Sequence, residues 1–517
     1  MVNVFRRPIT CWTWVLLLTA IMSSGWILKL QWHWPPADWF AAPDALPIDA
    51  LIVQNNTLPR MAMALLAGGA LALATMLLQQ IMRNPLASDS TLAVSSGAQT
   101  ALVAATVFAP ALLAWGNAPV AFGGAALALA LVLWLSARRD LVPLLVVLAG
   151  LVTALYLGAF AGIITLFYSE ETRGIMLWGA GSLLQDSWHD SLQLLWRIAA
   201  AAALIAILAK PLAMMSLSDT QAAALGMPVK TIRLAALAAA AFLSANVVGM
   251  VGMMGFVGLA AATAVRQLGV RTLWARLPMA FVFGALMLLL TDNLLVLLNH
   301  YHQVDLPAGA VTGLIGAPLL LWLIMLFNRK SGLLPEKVLL TGIAVAALSD
   351  AFIRVWTAGG NLRVQQLLIW LSGSTYQATP LLSGAVFAVS ILLLTAALPL
   401  SRWLGLLGFN AVVAQSAGVN VAAARTVLIV FSALLTALAT LLIGPLSFVG
   451  LLAPHLANML GARLPHQQLT AAALIGATVM VLADWLGRQI GFPYEIPAGL
   501  MATLLGGGYF LLIMRRM

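Results

Sequence analysis

Runs of about 20 consecutive apolar residues recur along this 517-residue chain almost from end to end, and no other feature restricts its possible folds as strongly. Trp12 to Leu28, Met61 to Leu78, Ala118 to Leu135 and Leu381 to Leu398 are four of them. A hydrocarbon core about 30 Å thick takes roughly 20 helical residues to cross. No water is present there to bond backbone N–H and C=O groups, so a spanning segment satisfies them inside a helix or in a closed barrel. Barrel strands alternate apolar and polar residues, and these runs do not. The expected fold is all-α, a polytopic transmembrane helical bundle. A soluble chain of this length would divide into about three or four domains, but 62% hydrophobic and 8% charged residues exclude that.

The formal net charge of +10 raises the question of nucleic acid. Binding of that kind needs a basic patch interleaved with aromatics, whereas the cations here stand singly between apolar runs, so no nucleic-acid partner is expected. The single cysteine, Cys11, excludes an intrachain disulfide and a CxxC metal site. Arg6 and Arg7 ahead of an apolar stretch resemble a secretory signal, but no small-x-small cleavage site follows closely, and an uncleaved first helix is expected.

Cytoplasmic loops retain Lys and Arg. With the N-terminus placed inside, the first part of the chain yields ten segments, near 11–30, 59–81, 92–112, 117–136, 142–167, 192–209, 231–253, 256–266, 276–299 and 308–327. Arg83, Arg138, Arg139, Lys210, Lys230, Arg233, Arg266, Arg271, Arg276, Arg329 and Lys330 then fall inside, and Asp38, Asp44, Asp49, Glu170, Glu171, Asp186, Asp190 and Asp305 outside. The run at 256–266 is too short to cross and is expected to be a half-helix sheltered by protein.

Self-comparison finds one constant offset. Gly150 pairs with Gly342, Trp178 with Trp370, Gly181 with Gly373, Ser182 with Ser374, Gly226 with Gly418, Phe256–Leu259 with Phe448–Leu451 and Asp292 with Asp484, each 192 residues apart. After a two-residue adjustment Leu306-Pro-Ala-Gly309 matches Ile496-Pro-Ala-Gly499. Internal repeats of this kind are common in transporters. Threaded like the first, the second copy again places Lys337, Arg402, Arg425, Arg463, Arg515 and Arg516 inside, so the repeat is parallel and both termini are expected in the cytoplasm. The second copy resumes near Leu334, opposite the fifth segment. The expected organisation is a complete ten-segment unit over 1–330 and a partial six-segment unit over 331–517, about sixteen segments in all.

Leu58-Pro-Arg60, Gly68-Gly69, Arg83-Asn-Pro-Leu-Ala87 and Ser95-Ser-Gly97 resemble the iron-siderophore and cobalamin permease family of ATP-driven importers. Phe448-Val-Gly-Leu-Leu-Ala-Pro-His455 resembles its FVGLxxPH segment, and Val304–Gly309 with Leu314–Pro318 its last-helix signature. Two copies in one chain resemble the double-length ferric hydroxamate branch of that family. The resemblance implies a bacterial inner-membrane permease subunit that takes a ferric hydroxamate siderophore from a periplasmic binding protein and passes it to the cytoplasm, driven by ATPase subunits, two in number. No cofactor or metal site is implied. The chain carries no GxxxxGK[ST] sequence, so ATP hydrolysis belongs to a partner and the chain is not itself an enzyme.

Ser216 to Pro228 opens with Ser and Asp, continues with helix formers and stops at Gly-x-Pro, which spells a short helix, a turn and a new helix. The resemblance makes this the ATPase-coupling element, through Asp219, Ala223, Leu225, Gly226, Met227 and Pro228, with Ala417 and Gly418 in the second copy; an ordinary amphipathic connector is the alternative. Asn84-Pro85 reads equally as part of a cytoplasmic site or as a simple turn. For docking of the binding protein the resemblance supplies Arg60 and Arg488, though an arginine at the end of a span also snorkels to headgroups. Leu298 stands at the first copy's counterpart of Arg488, and the second copy has no LPR segment. Asp292, Asp484 and Arg197 are intramembrane charges and by default functional candidates. The matched positions of Asp292 and Asp484 favour a contact between helices over a proton relay. The family's path implicates 142–167, 336–356, 256–266 and 448–458. Two alternatives stand beside this reading: an internally deleted, transport-defective relic, and a related siderophore or cobalamin permease.

Overall fold

The computed structural model describes residues 6–31, 47–137, 141–270, 272–303, 306–327, 335–358, 367, 369–375, 378–408, 411–490 and 494–516, and among these it contains helices and no β-strand. The expected boundary at 330/331, the charges Asp38, Asp44, Arg138, Arg139, Arg271, Asp305, Arg329 and Lys330, and Val304 of the last-helix signature lie outside the described residues.

The chain opens with α1 (Arg6–Gln31). A short α2 (Ile48–Ile52) runs through a π-helical stretch, Val53–Thr57, into α3 (Leu58–Met82). Pro59 has no N–H to donate, so the register resets just before it and the helix continues as one apolar rod, Ile48–Met82. Next come α4 (Val94–Phe108), α5 (Asn117–Ser136), α6 (Pro143–Phe167), α7 (Ser169–Gly179) and α8 (His189–Met214). The short α9 (Asp219–Ala224) comes next, followed by α10 (Val229–Val251), α11 (Val257–Gln267), α12 (Leu273–His302), α13 (Ala308–Phe327) and α14 (Pro335–Ala358). The remainder holds α15 (Pro380–Leu407), α16 (Ala411–Ser416), α17 (Val421–Ile443), α18 (Val449–Met459), α19 (Pro465–Ile490) and α20 (Ala498–Arg516). Among the described residues nine helices are long and apolar enough to cross a membrane.

Three departures from the expected segments have local causes. The run expected over 92–112 stops at Phe108, because Pro110 starts a 3-10 turn, Pro110–Trp115. The run expected over 192–209 extends to 189–214 and carries Pro211 inside it. Helix α7 was not expected at all, since Glu170, Glu171 and Arg173 leave it without an apolar run.

The described chain forms two compact units. The first comprises Met1–Ala154 with Tyr168–Gly359, the second Leu155–Phe167 with Gly360–Met517. At the centre of the first unit α3 is the most enclosed helix, with 83% of its apolar window buried. It packs on α12 through Gly68 and Gly284: a Cβ on either would fall inside the other's carbonyl oxygen, so only glycine lets the two backbones touch. In the second unit α15, α17 and α19 bury 0%, 0% and 6% of theirs, as apolar helices do when lipid, not protein, faces them.

Matched positions of the two sequence copies take the same local form. Gly252 and Gly444 both end a long helix with positive φ, +76° and +88°, against the carbonyl oxygens of Trp178 and Trp370 respectively. Gly181 O accepts from Ala308 N at 3.0 Å in the first unit, and Gly373 O from Gly499 N at 2.8 Å in the second. These bonds tie the start of the last helix of each copy to the loop that precedes α8 in the first and α15 in the second, while α11 and α18 are the half-helices. Each half-helix has 11 residues and so spans about 16 Å, half a bilayer core.

Candidate functional site

The coupling element folds as its residues dictate. Ser218 Oγ accepts from Gln221 N at 3.2 Å and Gln221 Oε1 accepts from Ser218 N at 3.1 Å, a complete capping box at the start of α9. Gly226, at φ +80°, reverses the chain, and Pro228 precedes α10. The second copy repeats the turn, with Gly418 at φ +81° after α16.

Asp219 holds this element to the bundle. Arg83, the left-handed C-cap of α3, donates Nη2 to Asp219 Oδ1 at 2.8 Å, donates Nε to Met215 O at 3.0 Å, and bonds Leu217 O as well. Arg233, buried in α10, donates Nη2 to both Asp219 oxygens at 2.9 Å and Nη1 to Leu141 O at 3.2 Å. Burial alone would raise the Asp219 carboxyl, but the Arg233 and Arg83 guanidiniums outweigh it and hold the group below its ordinary value. Ala223, Leu225, Gly226 and Pro228 are exposed, with Leu225 at 64%, whereas Met227 is buried beneath the turn. Ala417 and Gly418 are exposed at the second copy's turn, where Ala411 occupies the position of Asp219. In the sequence Arg233 marks the inner face alone, and Arg83 marks the inner face and opens the Arg83-Asn-Pro-Leu-Ala87 motif, with no sign of their shared partner. The clamp's one local signal is Arg233, a cation in the second turn of an otherwise apolar span.

Each docking arginine pairs with an intramembrane aspartate, Arg60 across 232 residues of sequence and Arg488 within one helix. Arg60 Nε donates to Asp292 Oδ1 at 2.9 Å and Oδ2 at 3.0 Å, and its Nη2 to Oδ1 at 2.7 Å, joining α3 to α12. The pair is largely enclosed, with side chains 18% and 2% exposed. In the second unit Arg488 Nε donates to Asp484 Oδ2 at 3.0 Å, one turn away in α19, and Thr375 Oγ1 also bonds Asp484. Glu495 lies 3.8 Å from Arg488, which is 46% exposed. Arg197 joins neither pair, with one N–H on Asn246 Oδ1 at 2.7 Å and one on Gln193 Oε1 at 2.9 Å.

The four path segments pair crosswise between sequence copies. In the first unit the half-helix of the first copy meets the leading helix of the second, where Leu259, Leu320 and Ala344 form one buried cluster. In the second unit the end of α6 meets the half-helix of the second copy, where Ile163 and Phe167 pack with Val449 on a cluster around Ile496 and Met501. A cavity of about 370 Å³ opens in the first unit beside Ser88, Asp89, Met253, Met254, Asp350 and Arg354. Arg354 Nε donates to Asp350 Oδ2 at 2.7 Å within α14. Burial pushes the Asp89 carboxyl up, against the lowering bond that Ser95 Oγ donates to its Oδ2 at 2.7 Å. Methionine sulfurs with paired charges and hydroxyls make a soft, wettable lining.

Comparison with known proteins covers nearly the whole chain. The FecCD transport family matches residues 15–326 and again residues 323–516. The chain is 31% identical to the iron(3+)-hydroxamate import system permease protein FhuB of Salmonella typhimurium, over 98% of this chain and 93% of that one, and 30% identical to FhuB of Escherichia coli K12, over 98% and 96%. These alignments run over 654 and 650 positions and so carry gaps within this 517-residue chain. It is 32% identical to the vitamin B12 import system permease protein BtuC of Escherichia coli O157:H7, over 61% of this chain and 96% of that one. A solved structure described as an inward-facing conformation of a metal-chelate type ABC transporter superposes with a TM-score of 0.52 at 26% identity, over 60% of this chain and 98% of its own.

Proposed function

This chain belongs to the FecCD transport family, and from that premise we propose that it is the permease of an ATP-binding-cassette importer for ferric hydroxamate siderophores. The observation that carries the reading is likeness along 98% of the chain to two double-length ferric hydroxamate permeases. The protein sits in the bacterial inner membrane with both termini cytoplasmic, an orientation that the distribution of Lys and Arg supports. Its organisation is a ten-segment copy followed by a six-segment copy, divided near residue 330.

Two cytoplasmic ATPase subunits dock on the turns at Leu225–Pro228 and Ala417–Gly418. Movement imposed on α9 reaches the bundle through Asp219, because the same carboxylate is bonded to α3 and to α10. At the outer face a periplasmic binding protein seats by charge complementarity, with Arg488 the more available arginine and Arg60 largely committed to Asp292. The siderophore passes along the crosswise pairs, past Met253, Met254 and the Asp350–Arg354 pair. Iron travels inside its chelate as cargo and needs no ligand from the chain.

Uptake of radiolabelled ferrichrome tests the proposal, in cells that lack their own hydroxamate permease but retain the binding protein and ATPase. Uptake that requires ATP hydrolysis is expected. Correctly inserted protein with no uptake would support the transport-defective relic instead, and uptake of labelled cobalamin in its place would reassign the substrate.

A further inference from the structure

Asp292 and Asp484 have arginine partners, whereas Arg197 has no carboxylate partner among the described residues. Its two bonds go to the neutral oxygens of Asn246 and Gln193, so two of five N–H groups are used and the positive charge is not cancelled. Asn246 is buried, and its own amide is anchored by donating to Phe242 O at 2.7 Å, which keeps Oδ1 aimed at the guanidinium. A bare cation inside a bundle is costly, and it persists where an anion or water answers it.

The guanidinium opens on a cavity of about 770 Å³ in the first unit. Its polar members on α8 and α10 are His189, Asp190, Gln193, Arg197 and Asn246, and the start of α5, with Asn117, closes the opposite wall. Asp190 lies exposed in the first turn of α8, at the mouth, where the helix dipole favours a carboxylate. Trp115, 85% exposed, lines the cavity, and Leu192 and Trp196 are exposed on α8, as in the aromatic belt where a membrane helix meets headgroups.

The second sequence copy supplies an independent observation. At the five matched positions, 192 residues on, it has Leu381, Leu382, Ala385, Val389 and Leu438. That copy has no counterpart of α5 and therefore no wall to close such a cavity. The five polar residues of α8 and α10 are thus absent together where the α5 wall is absent, and none belongs to the shared framework of the repeat.

We propose that this cavity binds the phosphate headgroup of an anionic phospholipid, with Arg197 on a phosphate oxygen, Gln193 and Asn246 orienting the guanidinium, and the acyl chains lying along the exposed face of α8. One guanidinium matches the single negative charge of a phosphodiester. By the charge assignment of the loops the site lies in the outer leaflet.

The full chain in nanodiscs of phosphatidylcholine alone provides the test. Adding phosphatidylglycerol is expected to raise the unfolding midpoint and to leave lipid bound through delipidation, read by native mass spectrometry. Arg197→Val with Asn246→Leu, which installs the residues of the second copy, is expected to lower retention about tenfold, the loss of one charge-assisted contact. Equal retention by that variant would overturn the site. A full shift with inorganic phosphate alone would overturn the lipid assignment in favour of a soluble anion. If the double variant does not fold, Gln193→Ala must still lower retention several-fold; unchanged retention there refutes the proposal.

Discussion

Replacing Arg60 by methionine separates two roles that the sequence leaves side by side. In the structure Arg60 makes three bonds to Asp292, whose side chain is 2% exposed, so removing the guanidinium leaves a carboxylate without a counter-charge deep between α3 and α12. Breaking a buried ion pair from one side costs about 3–5 kcal/mol. Arg60 is itself 18% exposed and water reaches part of the pair, which points to the lower end, about 3 kcal/mol. Asp292→Asn should cost less, about 1–2 kcal/mol, because the amide oxygen still accepts from the guanidinium and the arginine retains a route to water. Arg60→Met with Asp292→Leu should recover most of the loss, since two apolar groups leave nothing unpaired. A denaturant titration in mixed micelles measures all three, with binding-protein affinity measured on the same samples. A structural pair gives the ordered losses and a large coupling energy. If Arg60→Met unfolds within about 0.5 kcal/mol of the parent while binding-protein affinity collapses, the structural account is wrong and Arg60 is a docking residue.

Leu225→Asp, at an exposed position on the coupling turn, should abolish co-purification of the ATPase while changing stability by less than about 0.5 kcal/mol; loss of folding instead would place Leu225 in the core. Gly252→Ala combines a φ of +76° with a collision against Trp178 O and should destabilise by roughly 3 kcal/mol, with Gly444→Ala, its match in the second unit, similarly affected in the same titration. Asp219 has a lowered folded pKa, so its clamp contributes above the unfolded value of about 3.9 and is lost as pH falls through the lower folded value. Thermal unfolding of the parent should therefore be insensitive to this group from pH 5 to 8 and weaken below about pH 4, and Asp219→Ala should remove that part of the acid limb; an unchanged limb would dismiss the clamp. Because Asp219 is partly exposed, the clamp should contribute no more than about 1 kcal/mol.

What the sequence discloses is set by which forces are local. Helices α5 and α13 fall at 117–136 and 308–327, the expected limits, because an uninterrupted apolar run and its flanking breakers decide both ends. The half-helix α11 is equally legible, being short, apolar and bounded by Gly252 and Gly269 at positive φ. The coupling element shows itself through Ser218, Gln221 and Gly226, whose roles are completed within one turn. Helix α7 escapes, since its stability comes from packing in the folded unit and not from an apolar face that a membrane would require. The partnership of Arg83, Asp219 and Arg233 escapes too, as does that of Arg60 with Asp292, since charges 136 and 232 residues apart leave no periodic trace. The crosswise pairing of path helices belongs to the same class: each helix is legible alone, and its neighbour is chosen by tertiary packing.

The shortened second copy can be judged by its charges. In the first copy, groups within or near the membrane find partners among the first spans: Asp292 takes Arg60 from α3, and Asp219 takes Arg83 from its end. A copy that had simply lost those spans would keep the counterpart of Asp292 without that of Arg60, a buried carboxylate that costs several kcal/mol, and the counterpart of Asp219 with one arginine fewer. The second copy does not have that pattern. Ala411 stands where Asp219 would be, and Val389 where Arg197 would be. Asp484 remains but takes Arg488 from its own helix, with Thr375 beside it, and is 31% exposed where Asp292 is 2%. Among the described side chains every acid in this copy, Asp350, Asp484 and Glu495, has an arginine of the same copy within 4.0 Å. Its remaining outer surface is apolar, which lipid covers at little cost. The described acids of the second copy are therefore paired without the spans it lacks, which speaks against the transport-defective relic.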